Sequence, residues 1–312
     1  MHYCFTVFKM KLVFLGTSGM VPTKERNVQS IYLEYKGEGI LLDCGEGTQR
    51  QIQFAGLNAQ KIKRILISHW HGDHVSGLVG LIQTVGNFAG DQEKTVYLYG
   101  PKGTKEHFNH LMNSCIFETR LKVQIVELEP NSLETFYENE DYQLKAVSLE
   151  HSVPCLGFRF ERKEKRNIQL KKLQELNVPQ GPHLKDLQQG KNIIYEGRSV
   201  EVDDVTTLEK PHAISFIFDT KLCDACYSLA ENSDLLISEA VYKHDLLNKA
   251  EEYKHMTAHQ AAQLANESGV GELILTHFSI RYKDVAELEI EAKDLFENTR
   301  CAYDLMKLEL PF

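Results

Sequence analysis

Three histidines and an aspartate fall between residues 69 and 74, in Ser68-His69-Trp70-His71-Gly72-Asp73-His74, directly behind the apolar run Arg64-Ile65-Leu66-Ile67. That run reads as a buried strand, and residues 75–82 read as the helix that follows. The cluster therefore sits on a strand-to-helix turn. A chain that puts it there is held to an architecture in which strand ends open onto a shared lip. His69 and His71 are two apart, so on extended backbone they point the same way. Asp73 and His74 turn towards a neighbouring point at the helix start. Imidazoles with a carboxylate form a ligand set for zinc or a similar transition metal.

The rest of the pattern alternates strand and helix. Strands are expected at 11–15, 30–35, 40–43, 95–99, 123–128, 142–148, 156–160, 214–218, 234–238 and 272–276. Helices are expected at 48–54, at 258–267 and from Pro101, since proline suits a first helical turn. Strand runs mixed with helices in both halves predict two sheets with helices packed outside, and 312 residues allow one large domain or two ordinary ones. Met10-Lys11 opens the first strand and leaves 1–9 as an N-terminal tail, too short for a secretory signal. No apolar run reaches about 18 residues, so no membrane association is expected. Seven scattered cysteines argue against a disulfide framework and for a cytoplasmic location. Cys223-x-x-Cys226 has no second pair to complete a four-cysteine zinc site and reads as a chance spacing on a helix, with redox or metal use as the alternative.

The net charge of −9 argues against indiscriminate nucleic-acid binding by the whole surface. One segment departs from it. Residues 159–191 hold nine Lys/Arg against four Asp/Glu, a net of +5, which leaves −14 on the remainder. The segment is polar, helical near 169–176, broken at Val178-Pro179-Gln180-Gly181-Pro182, and short of apolar residues for a core. By itself such a charge run reads as a solvated helical face.

A metal centre needs more ligands than the first cluster supplies, and polar residues at the C-terminal lips of apolar strands are the places to look. His151 follows the 142–148 strand, Asp219 ends the 214–218 strand and His277 ends the 272–276 strand.

With these residues the chain resembles the metallo-β-lactamase superfamily, and more narrowly ribonuclease Z, the tRNA 3′-processing endonuclease in its short form. The broad resemblance rests on His69-x-His71-x-Asp73-His74, His151, Asp219 and His277. The narrow one rests on Gly16-Thr17-Ser18 with Pro22-Thr23-Lys24-Glu25-Arg26-Asn27, on Asp43-Cys44-Gly45-Glu46-Gly47-Thr48-Gln49, on the basic insert with Gly181-Pro182, and on His255-Met256-Thr257. Met256 stands where the family usually has serine, and Ser238-Glu239-Ala240-Val241 replaces its His-Glu-Ala-Thr.

The resemblance implies an α/β fold, an αββα sandwich of two mixed sheets flanked by helices in a single domain spanning 1–312, with the basic segment as an inserted flexible tRNA-binding arm over 159–197. It implies two zinc ions per chain, with manganese or iron as substitutes. One ion is held by His69, His71, His151 and Asp219. The other is held by Asp73, His74, His277 and the shared Asp219. It casts Asp73 as the residue that orients and deprotonates the attacking water, and His255, held by Glu239, as the proton donor to the leaving oxygen. Precursor tRNA is the implied partner, contacted by Lys24, Arg26 and Asn27 near the cleft and by Lys171, Lys172, Gly181, Pro182 and Lys185 on the arm. A homodimer is implied, and DNA is not an expected partner. A phosphodiesterase for small phosphodiesters is the rival enzyme, and the Gly-Pro arm speaks against it. A catalytically silent RNA-binding subunit is the rival from another class, and the complete ligand set speaks against that.

Overall fold

The computed structural model describes residues 10–88, 94–119 and 121–310; the expected tail, 1–9, lies outside them. Six strands come first: β1 (Met10–Gly16), β2 (Ser30–Tyr35), β3 (Glu38–Leu42), β4 (Ile62–Leu66), β5 (Lys94–Pro101) and β6 (Leu121–Leu128). Then come β7 (Glu134–Glu138), β8 (Tyr142–Leu149) and β9 (Cys155–Arg162). An insert carries β10 (Lys165–Ile168), β11 (Ile193–Tyr195), β12 (Arg198–Val200) and β13 (Thr206–Glu209). The chain closes with β14 (His212–Ile217), β15 (Leu235–Glu239), β16 (Glu272–Thr276), β17 (Thr299–Cys301) and β18 (Lys307–Leu310). Among the described residues, one sheet runs β18-β1-β2-β3-β4-β5-β6 and the other β17-β16-β15-β14-β9-β8-β7. Both mix parallel and antiparallel pairs.

Period-two alternation explains why the sheets stack. On β1, Met10, Leu12 and Phe14 face the opposing sheet, while Val13 and Leu15 face helices. Between the sheets these residues meet Leu144, Phe158, Phe160, Ile214, Phe216 and Ile237. Outside the first sheet lie Leu78–Asn87, which buries Leu78, Leu81, Ile82 and Val85, and Thr104–Asn113, which buries Phe108. Outside the second lie Asp224–Ala230 and Ala258–Glu267. This is the expected αββα sandwich. The central parallel strands read as continuous apolar runs because both of their faces are covered.

Some expectations need correction. Pro101 ends β5, paired beside Leu128, and the helix starts at Thr104, whose hydroxyl donates to the Pro101 carbonyl at 2.6 Å. The single helix expected over 75–82 divides into Gly72–Val75 and Leu78–Asn87. Arg159 and Arg162 are buried residues of β9, not arm residues: Arg159 donates to the Leu229 and Glu231 carbonyls, and Arg162 pairs with Glu209 at 2.6 Å. Arg162 is also the register partner of His212 on β14, so the insert occupies 163–211. It is not short of a core. Leu173, Val178, Leu187, Ile193, Val200, Val202 and Val205 form a separate buried cluster.

Candidate metal centre and cleft

The C-terminal ends of β4, β8, β14, β15 and β16 converge. Beyond β4 the chain bends at Ser68 and runs irregularly to His71, whose extended backbone is the N-cap of the Gly72–Val75 helix. Asp219 lies just past β14, Glu239 is the last residue of β15, and His277 follows β16 in a left-handed conformation, φ 57°.

Asp219 stands between two sets of ligand atoms. Its Oδ2 lies 3.7 Å from His69 Nε2 and 3.9 Å from His151 Nε2. His71 Nδ1 completes that set, 3.0 Å from His69 Nε2 and 3.3 Å from His151 Nε2. Its Oδ1 lies 3.4 Å from His74 Nε2 and 3.2 Å from His277 Nε2. Asp73 Oδ2 completes the second set, 3.4 Å from each of those nitrogens, which are 3.2 Å apart. Donors on a tetrahedral zinc at about 2.0–2.2 Å stand about 3.3–3.6 Å from one another. The second set lies close to that spacing and the first, at 3.0–3.9 Å, brackets it, so each set gathers four donors near enough to share one ion.

The chemistry of the donors fits a cation as well. Asp219 Oδ1 is buried with no hydrogen-bond partner, a costly arrangement for a carboxylate oxygen unless a cation neutralises it. His69, His71 and His151 all have pKa values lowered by burial, so they stay neutral, the form that binds metal. Burial alone would raise the Asp73 pKa, but His74 and His277 hold it below the usual carboxylate range.

The surrounding groups orient these donors. Asp43, in a left-handed conformation with φ 55°, accepts from the Ser68 N–H at 2.7 Å and the Ser68 hydroxyl at 2.8 Å. It also accepts from His74 Nδ1 at 2.7 Å, which directs His74 Nε2 into the site. His151 Nδ1 donates to the Lys254 carbonyl at 3.1 Å and so exposes Nε2. Asp73 Oδ2 accepts from the Met20 N–H at 2.7 Å. Gly19 allows that approach: a Cβ there would lie 2.8 Å from the His277 ring. Asp43 is a functional residue that a search for ligands passes over, although an acid at a strand end before a glycine is a signal. Asp304 carries no such signal. It accepts from the Asn27 N–H at 2.6 Å and the Thr17 hydroxyl at 2.8 Å, pinning the loop beside the cleft.

Glu239 is fully buried and accepts from the Thr220 N–H at 2.6 Å, the Met256 N–H at 3.1 Å and His255 Nδ1 at 3.1 Å. Burial lowers the His255 pKa, but Glu239 outweighs it and raises it to about 9. The ring lies 4.0 Å from Asp219 Oδ2. Met256 buries its side chain in the helix-side core and needs only its N–H for this arrangement.

The site floors an open cleft of about 740 Å³. Its mouth carries Met20, Tyr253 and Ile280, all exposed. Arg281 stacks over Tyr242 at 5.2 Å, and Lys249 lies 5.8 Å from the Tyr242 ring and 5.7 Å from the Tyr253 ring. The expected RNA contacts divide into two groups. Lys24 is exposed, three residues along the chain from the cleft-lining Val21. Arg26 donates to the Tyr282 carbonyl at 2.7 Å and Asn27 to the Glu46 carbonyl at 2.7 Å, so both are spent on holding the loop. Lys171 and Lys172 are exposed on the helix Leu170–Glu175, Lys185 on Leu184–Gln188, and Gly181-Pro182 forms the turn between them.

Residues 10–171 match the family model described as anti-Pycsar protein Apyc1. Ribonuclease Z of Methanosarcina mazei is 36% identical over 306 residues, covering 97% of this chain and 99% of that protein. The crystal structure of human tRNase Z, short form, superposes with a TM-score of 0.70 at 26% identity, over 97% of this chain and all of that one. A metallo-β-lactamase fold protein from Bacillus subtilis, 22% identical, shares the fold with a TM-score of 0.69, over 96% of this chain and 99% of that one.

Proposed function

The chain belongs to the ribonuclease Z family, its residues 10–171 belonging also to the Apyc1 family, and we propose that it is a zinc-dependent endoribonuclease that removes the 3′ trailer from precursor tRNA. The observation that carries this reading is the pair of ligand sets opposed across Asp219 at the floor of an open cleft. His69, His71, His151 and Asp219 would hold one zinc ion and Asp73, His74, His277 and Asp219 the other, with manganese or iron as substitutes, and the bound metal would supply Lewis-acid charge and lower the pKa of water. Asp73, held by the Met20 N–H, is placed to orient the attacking water and accept its proton. Glu239 holds His255 by Nδ1, which leaves Nε2 to protonate the departing 3′ oxygen. The products are a tRNA 3′-hydroxyl and a trailer with a 5′-phosphate.

The apolar and aromatic mouth suits unstacked bases at the RNA 3′ end, with Lys24 for phosphate. Lys171, Lys172 and Lys185 with Gly181-Pro182 form a separate docking face. The insert leaves the sheet at the start of β14, whereas Asp219 lies beyond its far end, about 20 Å away at strand rise. We further propose a homodimer in which one protomer's arm serves the other's cleft. The described cysteines carry free thiols, in keeping with a cytoplasmic protein. No helix among the described residues is long and apolar enough to cross a membrane.

A side-by-side assay of a 3′-extended precursor tRNA and a small chromogenic phosphodiester tests the reading. Higher kcat/KM on the precursor is expected. Hydrolysis of the small diester with the precursor left intact would identify a small-molecule phosphodiesterase instead.

A further inference from the structure

The Cys223-x-x-Cys226 pair belongs to none of this machinery. The two Sγ atoms lie 3.6 Å apart. Cys223 caps the helix Asp224–Ala230, and that helix is the crossover of the parallel unit from β14 to β15. A Cys-x-x-Cys at the start of a crossover helix is the placement used for thiol–disulfide exchange. The surroundings differentiate the two thiols. Cys223 is partly exposed and Cys226 is buried. The Cys226 thiol donates to Cys223, with further help from the Cys226 and Ala225 N–H groups, and the Cys223 pKa falls to about 6 although burial opposes this. Cys226 is held well above the ordinary thiol range by the same bond and by burial. One sulfur is thus a partly exposed nucleophile and the other a protonated reserve behind it.

We propose that Cys223 and Cys226 form a reversible dithiol–disulfide site that exchanges with small organic disulfides. The Cys223 thiolate attacks one sulfur of the disulfide, whose S–S bond breaks and releases the first thiolate. Cys226 then loses its proton and attacks Cys223 Sγ, forming the internal disulfide and expelling the second thiolate. The protein gives up two electrons and two protons, and the small disulfide becomes two thiols. The sulfurs close from 3.6 Å to the bonding distance of about 2.05 Å.

Magnitudes say where to look. At pH 7 a thiol of pKa about 6 has roughly 30 times the thiolate of one at about 8.5, but its lower nucleophilicity removes about tenfold of that gain. The first attack is therefore only about threefold favoured over an ordinary exposed thiol. What distinguishes this site is the second step, since Cys226 resolves the adduct internally.

The test uses the full chain treated with oxidised glutathione, followed by alkylation and mass mapping. Both cysteines fall in one tryptic fragment, 222–243. In the wild type that fragment should become lighter by two hydrogens, lose alkylation at least about tenfold, and recover with dithiothreitol. Exposed Cys115 should carry a mixed disulfide instead. Cys226→Ser should accumulate a glutathione adduct on Cys223. A wild-type fragment that stays fully alkylated while Cys115 is modified overturns the proposal. So does a folded Cys226→Ser protein with no adduct on Cys223.

Discussion

At the scale of single residues the account turns on Asp219 and Asp73. Asp219 gives one oxygen to each donor set, while Asp73 has a second partner in the Met20 backbone. Asp73→Ala should lower cleavage of precursor tRNA by about 10²–10⁴-fold, the usual worth of a positioned acid–base group, with RNA binding in a gel shift little changed. Substantial remaining turnover would remove Asp73 from the chemistry. His255→Ala should slow cleavage by a similar factor while metal analysis still finds two ions per chain. Loss of an ion would make His255 a ligand, a position its 4.0 Å approach to Asp219 keeps within reach. Asp304 offers a pH test away from the metals. Burial pushes its carboxyl from 3.8 up to about 6, so between those values the folded chain holds a proton that the unfolded chain has lost. Its contribution to stability is present below about pH 4 and is lost as pH rises through about 6. Asp304→Asn should remove that falling share from a stability-against-pH curve, and an unchanged slope would contradict it. The candidate ligands are legible in the sequence because each is a polar residue where an apolar strand stops. Asp304 is not, since it lies in an irregular stretch and gains its role only when the chain ends fold beside Thr17 and Asn27.

Among the elements, those that build the site are the ones the pattern foretells. The parallel strands β14, β15 and β16 that end at the cleft are largely apolar and buried on both faces, and the helices Thr48–Phe54 and Ala258–Glu267 fall where periodicity puts them. Short edge strands do not announce themselves: β7, β17 and β18 pair on one side only and carry few buried residues. The insert is illegible for another reason. Its seven core residues are scattered singly among polar ones over 173–205, with no sustained period. Its charge also changes meaning. Within 163–211 nine Lys/Arg meet eight Asp/Glu, a net of +1, and Arg166 pairs with Asp203 at 2.7 Å. Any docking role then rests on the local exposed face of Lys171, Lys172 and Lys185, not on bulk charge. Replacing all three with alanine should flatten the dependence of log binding on log salt by about two units. An unchanged slope would place the RNA elsewhere. Because Arg162 and His212 are already register partners, residues 163–211 can be replaced by an Asn-Gly turn. That variant should raise KM for precursor tRNA strongly and leave small-diester hydrolysis intact. Equal losses on both would contradict a docking role.

For the whole molecule, the division of labour is spatial. One end of the paired sheets gathers the ligands, and the other end extends the insert from β9 and β14. With the insert at +1, the rest of the chain carries −10, a surface that repels RNA except at the cationic positions described. The central claim is that the centre cuts precursor tRNA at the trailer, and end mapping tests it most directly. The zinc-loaded protein is incubated with a 3′-extended precursor, and both new ends are identified. A single cut at the junction of acceptor stem and trailer, leaving a 3′-hydroxyl on the tRNA and a 5′-phosphate on the trailer, is the predicted result. An intact precursor, or a cut that leaves a 3′-phosphate or a cyclic phosphate, would contradict the account.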